Sequence, residues 1–234
     1  MKGSKNPDSN YSNPLDSKNE NTKNSQNLKS MEALRARSIK TRNLVLLAFL
    51  TAITVVFQLL GSFVRFGPFS ISLVLMPIAV GAALIGISAG GWLGLVFGAV
   101  VLLSGDAMPF LAVSVPSTIF VVLLKGTLAG FAAGAVYRAI ARKSKTIAAI
   151  IAAAICPIVN TGIFVAGVYM FFLPTVTEWG VAAGAANVTA FIFVGMISIN
   201  FVVELILNIV LSPVIVRLIQ YGQDRRGKYT KQLT

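Results

Sequence analysis

Between Asn43 and about Gln220 the chain passes through six apolar stretches, separated by short breaks that carry polar, glycine or proline residues. They run from Leu44 to Gly61, Ile71 to Gly86, Ala89 to Ser104, Ser117 to Ile140, Ile147 to Leu173 and Ala190 to Gln220. At about 1.5 Å of rise per residue, an apolar helix of roughly 20 residues crosses a hydrocarbon core of about 30 Å. Each stretch is therefore read as a transmembrane helix, which predicts an all-α integral membrane bundle of six spans. The second and third are short and share only Ile87 and Ser88 between them, so a broken or re-entrant pair is the alternative there.

Composition excludes the ordinary soluble class, since 56% of residues are hydrophobic and only 12% charged, too few to cover a globular surface. The polar residues are concentrated at the ends. Met1 to about Ser30 is rich in Asn, Ser and Lys and buries too little apolar surface to offset ordering entropy, which predicts a disordered tail. It has no secretory-signal pattern, because Lys and Arg continue up to Leu44. Glu32 to Arg42 suits a short interfacial helix. The expected division is a tail over residues 1–40, a membrane domain over 41–221 and a basic tail over 222–234.

The formal charge of +12 first suggests nucleic acid, but the basic residues fall in three clusters. One precedes Leu44, the second is Arg138, Arg142, Lys143 and Lys145, and the third follows Val216. In a six-span chain these share one side, and Lys and Arg accumulate in cytoplasmic loops. The charge is thus read as topogenic, with both termini cytoplasmic and the chain a multi-pass protein of the cell membrane. The opposite loops carry Arg65, Asp106 and Glu178.

Three spans carry small residues four apart: Ala48 and Ala52; Gly90, Gly94 and Gly98; Gly126, Gly130 and Gly134. Such stripes let another helix approach closely. For the two glycine stripes packing within the subunit is expected; Ala48 and Ala52 are ambiguous. Two outer loops, SFVRFGPFS from Ser62 and GDAMPFLAVSVP from Gly105, are too apolar for simple connectors. They are read either as lids over a cavity or as interfacial anchors through Phe63, Phe66, Phe69 and Phe110.

Lys125 and Glu204 are the ionisable side chains deep within the spans, and each costs about 2.5 to 3.5 kcal/mol in a membrane if left without a partner. Counted at helical rise, Lys125 lies about 13 Å and Glu204 about 21 Å from the outer ends of their spans, so a contact directly or through a ligand is expected. Asn200, Glu204, Asn208 and Ser212 recur every four residues along one stripe of the last span, while Asn160 lies mid-span near Pro157 and Gly162. For Asn160, Asn200 and Glu204, ligand contact and an interhelical hydrogen-bond network both stay open. For Asn208 and Ser212 the network is preferred. Should those residues prove structural, Arg65, Asp106 and Trp179 are the next binding candidates.

The one cysteine, Cys156, is read as a packing residue, and there is no histidine to ligate a metal or shuttle a proton. The tail GQDRRGKYT from Gly222 has phosphate-loop spacing, but Tyr229 stands where Ser or Thr must reach magnesium and no strand precedes it. No nucleotide motif, metal cluster or Ser-His-Asp set is legible, so neither an enzyme nor a cofactor is expected in this chain.

From about Arg42 to Ile219 the sequence resembles the substrate-binding S components of energy-coupling-factor vitamin transporters. The resemblance rests on the six spans, AFLTA with Ala48 and Ala52, ISLVLMPIAVGAALIG, GGWLGLVFG, and KGTLAGFAAGAVY from Lys125. It implies a high-affinity binding subunit for a small water-soluble vitamin or related micronutrient, docked through the Ala48 and Ala52 groove on a membrane coupling subunit driven by two cytoplasmic ATPases that use ATP. It also implies a substrate site near the outer face among the later helices. The segment from Ile71 to Gly98 looks most like pantothenate-type members. The rival readings are a self-sufficient secondary transporter, which should show an inverted repeat, and an intramembrane enzyme using Glu204 and Lys125.

Overall fold

The structure is a computed structural model, and it describes residues 14–63, 65–66, 69–70, 74–197, 201–210 and Arg217. Met1–Leu46 and Leu47–Thr234 form two compact units. The first helix, α1, spans Pro14–Phe63 and contributes to both. In the first unit the backbone is helical from Pro14, within the stretch for which disorder was expected, and residues 26–34 are exposed. Low apolar content forbids burying a core, but it does not by itself forbid a helical backbone, even in a segment rich in the weaker helix formers Asn and Ser.

In the second unit, α1 is followed by two short strands, β1 (Arg65–Phe66) and β2 (Phe69–Ser70), paired antiparallel with Arg65 opposite Ser70. Helices α2 (Leu75–Leu84) and α3 (Ile87–Leu103) come next, then the one-turn α4 (Met108–Leu111) and the long α5 (Val115–Ile140). Helix α6 (Lys145–Gly167) passes through a π-helical turn, Val168–Phe172, into α7 (Leu173–Ala182). A short α8 (Val188–Ala190) leads into a second π-helical stretch, Phe191–Ile197, and residues 201–210 are helical.

Among the described residues four helices are long and apolar enough to cross a membrane, namely Gln26–Ser62, Val115–Ile140, Lys145–Ala182 and Val188–Val210. The second and third expected spans are the shorter apolar helices α2 and α3. At 10 residues α2 rises only about 15 Å, half of a hydrocarbon core. The break between them falls at Gly86, whose φ of 139° is a conformation that a side chain with a Cβ rarely adopts. Ile87 and Ser88, expected in the turn, instead open α3. The fifth expected span continues past Leu173 to Ala182, so the connection that follows it shortens to residues 183–187.

The glycine stripes explain the centre of the bundle. A Cβ on Gly90 would lie 2.5 Å from the Gly130 carbonyl oxygen, and one on Gly98 would lie 2.8 Å from the Val122 carbonyl oxygen. One on Gly94 would collide with the carbonyl oxygen of Gly126, and the reverse holds as well. Helices α3 and α5 thus touch backbone to backbone, which only glycine permits. Cys156 is buried and free, in keeping with a packing role. Span threonines are accommodated by their own helices: Thr127 Oγ1 donates to the Leu123 carbonyl at 2.7 Å and Thr51 Oγ1 to the Leu47 carbonyl at 2.8 Å.

Two faces of α1 differ in the same way that two and four residues differ on a helix. Leu50, Thr54 and Gln58 are buried, and a Cβ on Gly81 of α2 would lie 3.3 Å from a Leu50 methyl. Ala48 and Ala52, offset from them by about 200° of helical turn, are exposed beside Leu44, Val45, Phe49 and Val56.

Candidate functional site

The sequence between α3 and α5 folds inward. A helical turn of only four residues, opened by Met108 and Pro109, carries Phe110 into a cluster with Val168, Phe172, Val176 and Ile192. The Phe110 ring meets Phe172 edge-on at 5.0 Å, Trp179 at 5.5 Å and Phe164 at 5.6 Å, and its residue is 5% exposed. Of the two readings offered for this loop, folding back holds and interfacial anchoring by Phe110 does not. Aromatic edges packed on aromatic faces satisfy the ring quadrupoles better than a headgroup layer would. The side chains of Phe63, Phe66 and Phe69 lie outside the described residues.

Beside this cluster is a cavity of about 100 Å³, room for several waters or one compact solute. Helix α5 lends it Lys125 and Val122, α6 lends Asn160, Thr161 and Phe164, and the last helical stretch lends Phe201 and Glu204. Asp106 enters from the folded loop, Phe97 from α3, and Gln58 from α1. The wall is apolar apart from a few convergent polar groups, the usual make-up of a small-molecule site.

These polar groups are held from behind. Asp106 Oδ2 accepts a hydrogen bond from Gln58 Nε2 at 2.8 Å and another from Ser104 Oγ at 3.1 Å, which ties the folded loop to α1 and to the end of α3. The Lys125 ammonium lies 5.3 Å from the Phe164 ring centroid and 5.8 Å from that of Phe97, within the range of cation–π attraction. Glu204 and Asp106 both act on it electrostatically. Two buried oxygens, Gln58 Oε1 and Asn160 Oδ1, have no donor among the described residues.

Of the residues singled out from sequence, the cavity brings together Lys125, Asn160, Glu204 and Asp106. Trp179 belongs to the aromatic cluster beside it and does not line it. Asn200 and Ser212 lie outside the described residues, as does the side chain of Arg65. Asn208 is buried off the cavity wall and donates from Nδ2 to the Glu204 carbonyl at 2.8 Å, a bond within its own helix. Gln58 was missed. Its signal was present, since Thr54 and Gln58 stand four apart in an apolar span, on the face opposite Ala48 and Ala52.

A family model described as "ECF transporter, substrate-specific component" matches residues 42–216. The chain belongs to that family. No curated protein and no solved structure matches it. As an ECF substrate-specific component it is a multi-pass membrane protein and a binding subunit of a transporter, in a family that is not one of enzymes. Membership implies a small-molecule substrate and association with an energy-coupling module. The match begins at Arg42, so the helical extension from Pro14 precedes the matched region.

Proposed function

We propose that this S component captures a small water-soluble vitamin or related micronutrient at the outer face of the membrane. It holds the molecule in the cavity bounded by Lys125, Asn160, Glu204 and Asp106, and releases it inward only when docked on a coupling subunit powered by two ATPases. The observation that carries the reading is the convergence of these four side chains, from three helices and a folded loop, on one apolar-walled space. Polar groups this expensive in a membrane would gather only to pair or to meet a solute.

Six spans with both termini cytoplasmic are part of this proposal, supported by the single side shared by the basic clusters. A cysteine placed at Lys143 is expected to resist a membrane-impermeant maleimide in intact cells and to react after permeabilisation. Labelling from outside would overturn the orientation.

The substrate site is tested by mass spectrometry of the small molecule that copurifies with mildly solubilised protein, followed by its affinity for variants. Loss of a charged hydrogen bond costs about 1.5 to 3 kcal/mol, so Lys125→Ala and Glu204→Gln are each expected to weaken binding roughly ten- to a hundredfold. Ligand-free protein should melt nearly as before. Wild-type affinity in both well-folded variants would remove the cavity as the site, whereas lower melting with unchanged affinity would mark both residues as ties between helices. The likeness of Ile71 to Gly98 to pantothenate-type members favours a carboxylate, which would suit Lys125. Glu204 and Asp106, on the same wall, oppose that attraction.

A further inference from the structure

We infer that the solute for which this cavity is built is a compact molecule carrying a protonated, N–H-bearing nitrogen, and is not a plain carboxylate anion. The inference rests on the cavity being the substrate site, and it deepens that reading by reversing the charge that Lys125 alone suggests.

The first support is the inventory of donors and acceptors. A carboxylate accepts and does not donate, so Asp106 and Glu204 both present acceptors, while Lys125 presents donors only. The amide of Gln58 is oriented by its own bond, because Nε2 donates to Asp106 and Oε1 must therefore accept. Among the described residues that oxygen is buried without a donor, on a residue 1% exposed, and Asn160 Oδ1 is in the same condition on a residue 6% exposed. Buried polar atoms are nearly always satisfied by protein, water or ligand. What these two oxygens lack is a donor, which an ammonium, amidine or amino group supplies and a carboxylate cannot.

Charge points the same way. Among the described residues the cavity wall bears two carboxylates and one ammonium. A carboxylate solute would crowd a third anion around a single cation in a space where water screens little, whereas a cationic nitrogen would balance the set. Lys125 does not consume the whole attraction of the acids, since its ammonium also faces the Phe164 and Phe97 rings. The aromatic walls then suit both the apolar body of a solute and the cation it carries, because ring faces attract ammonium groups. A zwitterion, with its nitrogen toward Asp106 and Glu204 and its anion toward Lys125, falls within the same class.

The test uses full-length protein in lipid nanodiscs and three probes of matched shape: benzylammonium, benzyl alcohol and phenylacetate. Benzylammonium is expected to raise the melting temperature saturably, benzyl alcohol less and phenylacetate not at all. Asp106→Asn and Glu204→Gln should each weaken the benzylammonium effect about tenfold or more, whereas Lys125→Ala, which should weaken a solute that also carries an anionic end, should cost this purely cationic probe less than either. If Asp106→Asn melts too early for measurement, Glu204→Gln carries the comparison, since Glu204 lies on the last helical stretch and not on the folded loop. Stabilisation by phenylacetate that disappears in Lys125→Ala would overturn the charge class while leaving the cavity as the site. Absence of any benzylammonium effect would overturn the inference alone, the site itself remaining open to the copurified molecule. Equal effects in wild type and all three variants would put the probes elsewhere and count against both.

Discussion

Gly94→Ala is expected to cost about 3 kcal/mol, the upper end for overpacking, although it adds a single methyl group. The new Cβ would drive into the Gly126 carbonyl oxygen of α5. A flexible side chain could rotate away from such a collision, but a carbonyl inside a helix can move only with its helix. Separating α3 from α5 would also strip the contacts at Gly90 with Gly130 and at Gly98 with Val122, so a local insult spreads along the whole seam. Gly126→Ala is expected to behave alike. The double variant should cost less than the sum of the two, because one separation of the helices relieves both clashes. Gly162→Ala is the control: it is exposed, a Cβ there meets nothing within 4 Å, and stability should stay within about 0.5 kcal/mol of wild type. Thermal and denaturant unfolding in detergent would measure all four. Wild-type stability of Gly94→Ala would show that the two backbones do not touch.

Ala48→Trp and Ala52→Trp are each expected to abolish uptake by the assembled transporter while leaving solute binding to the isolated subunit intact. Both alanines are exposed on α1, with Leu50, Thr54 and Gln58 turned the opposite way into the subunit. An indole at 48 or 52 therefore displaces nothing inside the subunit, which is why binding should survive. A partner helix that approaches over methyl-sized side chains would be held off by the width of an indole, which is why coupling should fail. Uptake in cells and binding to purified subunit separate the two effects. Normal uptake by both variants would remove α1 as the docking face, and loss of binding would show that α1 supports the cavity through this face too.

The division between what sequence carried and what it did not follows from the range of the forces involved. The apolar helices, the glycine stripes and the placing of Lys125 and Glu204 within apolar segments were legible, because transfer into hydrocarbon is a property of each residue and helical periodicity is local. The short extent of α2 was not, since apolarity continues through Ile71 to Gly86 while the described helix runs only from Leu75 to Leu84. Nor was the helical backbone of Pro14 to Ser30, because a composition that builds no core does not by itself fix the local backbone.

The cavity is the clearest case of a feature decided in three dimensions. Sequence alone determined that costly polar groups lie in spans four, five and six and that they must find company. It could not say that Asp106, on a loop open to two readings, would turn inward, because that depends on Phe110 finding Phe172, Phe164 and Trp179, which lie more than 50 residues away along the chain. It could not bring Gln58 from the first span to Asp106, nor show that two acids share the wall with one ammonium. Burial cost belongs to a residue and is written in the sequence. Charge balance belongs to a place, and only the packing of α1, α5, α6 and the folded loop around one space determines it.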